Sequence, residues 1–172
     1  MGIDPGSIRT GFAVIESDGT RLKYITSGTI VLDESAPISK RLFNLSQDLD
    51  ALISKYKPKE VAIESLFFSK NAQSALKLGQ ARGVILMKVA AHSLEIYEYT
   101  PAEIKVSVVG TGRAQKDQIA KMLKILFKFP KSFDFKSTDQ SDALAISLTH
   151  VQSGKLKGLQ KRDRPAYWQN SF

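Results

Sequence analysis

The stretch Gly2-Ile3-Asp4-Pro5-Gly6-Ser7-Ile8-Arg9-Thr10-Gly11, continued by Phe12-Ala13-Val14-Ile15, decides how the chain is read. A buried-type residue, an acid and a Pro-Gly pair read as a strand end and a turn, and Phe12 to Ile15 as a second strand. Proline fixes φ and glycine accepts a positive one, so Pro5-Gly6 predicts a type II turn. Asp4 then stands at the carboxyl edge of a central strand. With glycines flanking it and no bulky neighbour in the turn, its carboxylate has room for a metal ion and a phosphate. A turn cap is the other use of an aspartate here, and the stretch alone leaves both readings open.

A second acid stands in the same kind of place. Glu60-Val61-Ala62-Ile63-Glu64 reads as a short buried strand ending in a carboxylate. Before it, Ile38, Leu42, Leu45, Leu49, Leu52, Ile53 and Tyr56 fall at helical spacing, and Pro58 closes that helix. A helix between two strands is a crossover connection, which makes the strands parallel and brings Asp4 and Glu64 to one edge of the sheet. Two carboxylates meeting there repel each other unless a cation neutralises them.

The remaining segments supply the layers around that edge. Arg21 to Thr26 alternates like a half-buried antiparallel strand, which Gly28 to Val31 extends beyond an irregularity. Ser65 to Asn71 reads as a loop carrying the aromatic pair Phe67-Phe68 and the basic Lys70. Asn71 caps a long helix containing Gly79 and Gly83 one turn apart. Each glycine costs roughly 1 kcal/mol relative to alanine, so the pair predicts close approach of another backbone or a partner subunit, with a locally weak helix as the alternative. Leu94 to Tyr99 reads as a strand, and Thr100-Pro101-Ala102-Glu103 as a capping box. Lys116 opens a basic amphipathic helix. Ser137-Thr138-Asp139-Gln140 offers a capping box for a last helix, whose first turn projects Asp139 and Asp142 from one face.

Composition narrows the function classes. The 172 residues suit one domain, read as 1–154 with a basic tail over 155–172. With no cysteine there is neither a disulfide framework nor a thiolate metal site, which fits a reducing cytoplasm. No apolar run approaches membrane-spanning length, so a membrane partner is not expected. The net charge of +8, concentrated in the second half of the chain, attracts polyanions and makes nucleic acid the expected partner.

Asp4, Glu64, Asp139 and Asp142 therefore come from two strand ends and one helix start, an arrangement able to surround a pair of divalent cations. Oxygen ligands suit Mg²⁺ or Mn²⁺. Two such ions activate a water and stabilise a leaving oxygen in phosphoryl displacement. An acidic, metal-binding centre in a basic surface reads as a nuclease.

These residues resemble the RuvC-type Holliday junction resolvases. The matching stretches are Gly2 to Gly6 with Thr10-Gly11, Ala62-Ile63-Glu64 into Phe67-Phe68-Ser69-Lys70-Asn71, Ser74 to Gly83, Val108-Val109-Gly110, Lys116, and Asp139 to Ala145. The resemblance runs nearly to Val151. It implies an α/β RNase H-like fold, a five-stranded mixed sheet flanked by helices, acting as a homodimer on four-way junction DNA with a branch-migration helicase as a further partner. The family's metal-binding and catalytic acids fall on Asp4, Glu64, Asp139 and Asp142, with two Mg²⁺ per site and Mn²⁺ able to substitute. Its DNA-contacting lysines fall on Lys105 and Lys116, the latter also stabilising phosphate charge. Its junction-centre aromatic falls on Phe67, and Phe68 and Lys70 beside it are read as further DNA contacts.

Two departures from the family pattern stand out. Only three residues precede Asp4 where the family usually has several more, so either the start is trimmed or the central strand is short, and a weakened strand would loosen Asp4; the basic tail inherits no family role. Rival readings are an RNA-processing nuclease of the same fold, a non-catalytic junction-binding module, and an actin-like ATP fold. The last needs a duplicated domain and a second phosphate-binding turn that this chain lacks.

Overall fold

The computed structural model describes residues 1–18, 20–65 and 71–159, the last five by backbone alone. Its elements run β1 (Gly2–Asp4), β2 (Arg9–Ser17), β3 (Leu22–Val31), α1 (Ile38–Tyr56), β4 (Glu60–Glu64), α2 (Ala72–Ala91), β5 (Glu95–Tyr99), α3 (Pro101–Val109), α4 (Lys116–Leu126) and α5 (Thr138–Leu159). The five strands form one sheet in the order β3-β2-β1-β4-β5. β1 pairs antiparallel with β2 and parallel with β4, β2 pairs antiparallel with β3, and β4 pairs parallel with β5. The sheet is therefore mixed, as the crossover between β1 and β4 requires.

Strand periodicity sorts the residues onto two faces. Ile3, Val14, Val61 and Ile63 turn to one face and form a core with Leu45, Leu49 and Ile53 of α1 and Ile85 and Val89 of α2. On the opposite face the small residues Ala13 and Ala62 meet Ala143, Leu144 and Leu148 of α5, with Ile104, Val108, Ile119 and Leu123 of α3 and α4 closing that layer. Gly2 and Gly11 share the small-residue face. A β-carbon on Gly2 would come within 2.4 Å of the Ala143 carbonyl, and one on Gly11 within 2.1 Å of the Asp139 carbonyl. The glycines let α5 lie directly on the strand backbones.

Helix ends follow their local chemistry. Asn71 caps α2 by accepting from the Gln73 and Ser74 amides, Thr100 and Glu103 form a reciprocal capping box on α3, and Gly110 ends α3 with φ 78°. At α5 the Ser137 hydroxyl accepts from the Gln140 amide, but the Gln140 side chain accepts from the Lys136 amide and donates to the Ser27 carbonyl. The expected box is thus half formed. Its glutamine ties the helix start to β3 instead.

Three expectations for the sheet strands and their turn are corrected. Pro5-Gly6 is not a type II turn, because Gly110 is the only glycine with positive φ among the described residues. Gly6 is needed for space, since a β-carbon there would stand 1.8 Å from the Arg9 carbonyl. The irregularity of β3 lies at Ile25, which the pairing skips between Val14↔Thr26 and Ile15↔Tyr24, rather than just before Gly28. β1 is short but not loose: Ile3 is wholly buried, both edges are paired, and the Met1 carbonyl extends the β4 ladder by accepting from the Ala62 amide at 2.8 Å. The last helix also continues to Leu159, into the segment read as a tail from 155, and residues 160–172 lie outside the described residues.

Candidate active site

Asp4 follows Gly2 and Glu64 follows Ala62 at a spacing of two, so both acids project on the face that carries α5. Asp4 pairs across the ladder with Gly11, the residue against which the Asp139 backbone packs. The close approach therefore carries the first turn of α5, with Asp139 and Asp142, up to the strand acids. Burial, then the charges of Asp142, Glu64 and Asp139, push the Asp4 carboxyl up to about 7. Glu64 is also raised, by burial and by Asp142, against opposing influences from Lys116, a hydrogen bond with Asp4 and the charge of Lys105. The other three sequence-predicted acids thus all lie close enough to Asp4 for their charges to act on it.

Two cations flank it. Lys116, the first residue of α4, donates from Nζ to Asp142 Oδ2 at 2.9 Å. That hydrogen bond holds its ammonium above the usual value, against a smaller opposing cost of burial. Arg9, the first residue of β2, donates from Nε to Asp139 Oδ2 at 2.8 Å. Each helix acid is thereby held by a cation from a different element. The strand acids have no such ion pair among the described residues.

The strand ends are themselves braced. The Thr10 hydroxyl, wholly buried, donates to the Gly6 carbonyl at 3.0 Å and closes the turn after Asp4. Arg82 of α2, almost fully buried, donates from Nη1 to the Glu64 carbonyl at 2.7 Å and pairs through Nη2 with Glu98 at 2.7 Å. The Ser65 amide bonds the Tyr99 carbonyl at 2.8 Å. Sequence reasoning missed Arg9, Thr10 and Arg82. Arg82 did leave a signal, a charged residue on the stripe of Leu78, Ala81, Ile85 and Val89, where only a paired guanidinium is tolerated. Arg9 left none beyond its nearness to Asp4.

The chain matches the family model described as crossover junction endodeoxyribonuclease RuvC over residues 1–150. The chain belongs to the RuvC family. Among RuvC relatives, the protein of Geotalea uraniireducens is 42% identical over 161 residues, covering 94% of this chain and 92% of its own. That of Bradyrhizobium diazoefficiens is 45% identical over 151 residues, covering 88% and 85%. Among solved structures, T. thermophilus RuvC in complex with Holliday junction substrate superposes with a TM-score of 0.83 at 25% identity, covering 91% of this chain and 94% of that one. The fold is the RuvC fold, a five-stranded mixed sheet flanked by helices.

An all-oxygen set of four carboxylates, one pushed up to about 7 by burial and then by its neighbours, has the chemistry of a site for hard divalent cations. Among the described residues no three of the acids already surround a common point, which agrees with Lys116 and Arg9 drawing one oxygen each of Asp142 and Asp139. Lys105 of α3 is close enough to Glu64 for its charge to lower the carboxyl pKa. Phe67, Phe68 and Lys70 lie outside the described residues. No helix among the described residues is long and apolar enough to cross a membrane.

Proposed function

We infer that the protein is a structure-selective endodeoxyribonuclease that resolves four-way DNA junctions by paired symmetric nicks, acting in homologous recombination and DNA repair in the cytoplasm. The observation that carries this reading is the convergence of Glu64, Asp139 and Asp142 on Asp4, whose carboxyl their charges raise together with burial, in a chain that matches the RuvC family model over residues 1–150. Asp4, Glu64, Asp139 and Asp142 hold the cations, two Mg²⁺ per site with Mn²⁺ able to substitute. A divalent cation bound by such oxygens supplies a nucleophilic water at neutral pH and neutralises charge on the scissile phosphate.

The chain's own groups do the rest. Asp4 and Glu64, on strands paired into a rigid sheet, fix one side of the site. Asp142 and Asp139 close it from the helix. Lys116 orients Asp142 and is the group that meets the charge building on the phosphate in the transition state. Lys105, Phe67, Phe68 and Lys70 contact the DNA around the junction centre, where stacking of a ring on a displaced base is worth ~1–3 kcal/mol. Hydrolysis leaves a 5′-phosphate and a 3′-hydroxyl that a ligase seals.

A homodimer follows from the need for two nicks related by a two-fold axis. The outward stripe of α2 supports it: Leu76 and Met87 are more than half exposed, and Gly79 and Gly83 between them have open space where a β-carbon would stand. A branch-migration helicase is the further partner.

The test is cleavage of a synthetic four-way junction in Mg²⁺ and in EDTA, beside linear duplex, single-strand and structured-RNA substrates. Symmetric, Mg²⁺-dependent nicks confined to the junction are expected, with Asp4→Asn and Asp142→Asn binding the junction but no longer cutting it. Undiminished cutting by either variant, or preferential cutting of the RNA, refutes the reading.

A further inference from the structure

Arg9 has no part in the function described so far, yet it touches one of the four acids. Its backbone is fixed. The Gly6 turn packs on its carbonyl, Thr10 beside it locks that turn, and β2 pairs it with Val31. From this anchored position the side chain crosses to the first turn of α5 and donates through Nε alone to Asp139 Oδ2 at 2.8 Å. The two terminal amino groups, with four N–H donors, make no hydrogen bond or ion pair among the described residues. The side chain is about half exposed, at 48%.

Stability does not account for this arrangement. A half-exposed ion pair contributes about 0–1 kcal/mol, and Asp139, in the first turn of α5, is already favoured there by the helix dipole. A side-on pair would use Nε and a terminal amino group together on the two carboxylate oxygens. Among the described residues, the one-point contact instead leaves the outer fork of the guanidinium without a hydrogen bond or ion pair.

The surrounding charge gives that fork a purpose. Four converging carboxylates repel a DNA backbone. Lys116 bonds Asp142 and its charge reaches Asp4 and Glu64, but among the described residues the ion-pair partner of Asp139 is Arg9. Arg9 supplies the second cation on the Asp139 side, from a different element. A planar fork of donors matches the oxygens of a phosphodiester, which an ammonium meets only as a point charge.

We propose that Arg9 is a phosphate-binding residue of the active site, holding Asp139 through Nε while its terminal amino groups take a DNA backbone phosphate beside the scissile one. The proposal rests on the junction-cleaving reading. It adds a residue and a subsite to that reading, and makes the two flanking cations a pair that brackets the strand to be cut.

The test uses the full chain with Arg9→Gln and Arg9→Lys. Junction binding is measured in EDTA over a range of salt, where each phosphate contact contributes about 0.9 to the slope of log K against log salt. Arg9→Gln should flatten the slope by about that amount per subunit, and Arg9→Lys should restore it. Single-turnover cleavage in Mg²⁺ should fall about tenfold in both, because lysine keeps the charge but lacks the fork that serves Asp139 and phosphate together. Melting temperatures should stay within about 2 °C of wild type, the scale of a surface pair. A wild-type slope in Arg9→Gln, or wild-type cleavage by Arg9→Lys, overturns the proposal. A wild-type protein that binds junctions but never cuts them refutes the nuclease reading instead, and the salt slope then still decides whether Arg9 meets a phosphate.

Discussion

The two faces of the sheet are built to different tolerances. Toward α1 and α2 the strands present Ile3, Val14, Val61 and Ile63, large side chains that interlock with Leu45, Leu49, Ile53, Ile85 and Val89. Toward α5 they present Gly2, Gly11, Ala13 and Ala62, and the helix lies on the strand backbones themselves. The first contact is side chain against side chain, which adjusts when an atom is added or lost. The second is backbone against backbone and has no side chain to give way. The acids stand on the second face, so the chemistry depends on the contact that adjusts least.

The largest effect should come from adding one methyl group to that contact. In Gly11→Ala the new carbon meets the Asp139 carbonyl at 2.1 Å, so the first turn of α5 must shift. The expected cost is about 1–3 kcal/mol of stability and, with Asp139 and Asp142 displaced, on the order of a hundredfold in single-turnover cleavage. Leu49→Ala on the other face is the control. It should cost about 2–5 kcal/mol yet leave the cleavage rate of the folded protein unchanged. Junction cleavage and thermal melts of both variants check this, and wild-type cleavage by Gly11→Ala would break the distinction between the faces.

That distinction also marks what was legible in the sequence. β4 and its end at Glu64, the parallel crossover from β1, the Asn71 cap and the acidic first turn of α5 depend on neighbours a few residues away, and local periodicity and capping chemistry exposed them. The purpose of Gly2 and Gly11 depends on a helix more than a hundred residues later. The glycines flanking Asp4 therefore read as room for a ligand, whereas Gly2 and Gly11 make room for α5. The type II turn at Pro5-Gly6 failed for a local reason, because Gly6 answers to the Arg9 carbonyl three residues on and not to its own φ. Arg9 became visible only when Asp139 was brought to it, and Arg82, though marked by its place on an apolar stripe, took its role only beside the Glu64 carbonyl.

A smaller effect separates the acids' cost from their use. Asp4 in the folded protein keeps its proton up to about pH 7, whereas an ordinary aspartate, as in the unfolded chain, releases it near 3.8. Ionised Asp4 therefore costs the fold nothing below pH 3.8, a growing amount as pH rises from there, and the full amount above pH 7. Asp4→Asn removes that cost. The variant should gain on the order of 1–3 kcal/mol at pH 8, about 5 °C in Tm, and the gain should vanish toward pH 4. Thermal melts of both proteins in EDTA across this range check it. A gain independent of pH would mean that neither burial nor its neighbours raise the Asp4 carboxyl.

The smallest effect tests the outward side of the α1 and α2 layer. Gly83 costs α2 roughly 1 kcal/mol relative to alanine, and no atom of the described chain needs the space, because nothing lies within 4 Å of where its β-carbon would be. If α2 faced only water, Gly83→Ala would be a simple gain. If a second copy lays its backbone along Leu76, Gly79, Gly83 and Met87, the same methyl intrudes on it, as Gly11→Ala intrudes on α5. We expect Gly83→Ala to raise the stability of the monomer by up to about 1 kcal/mol while weakening dimerisation about tenfold, a loss of about 1.4 kcal/mol. Sedimentation across a dilution series, with melts at its dilute end, reads both. A variant that is more stable and dimerises as well as wild type would remove this stripe from the interface and leave the two glycines as a locally weak stretch of helix.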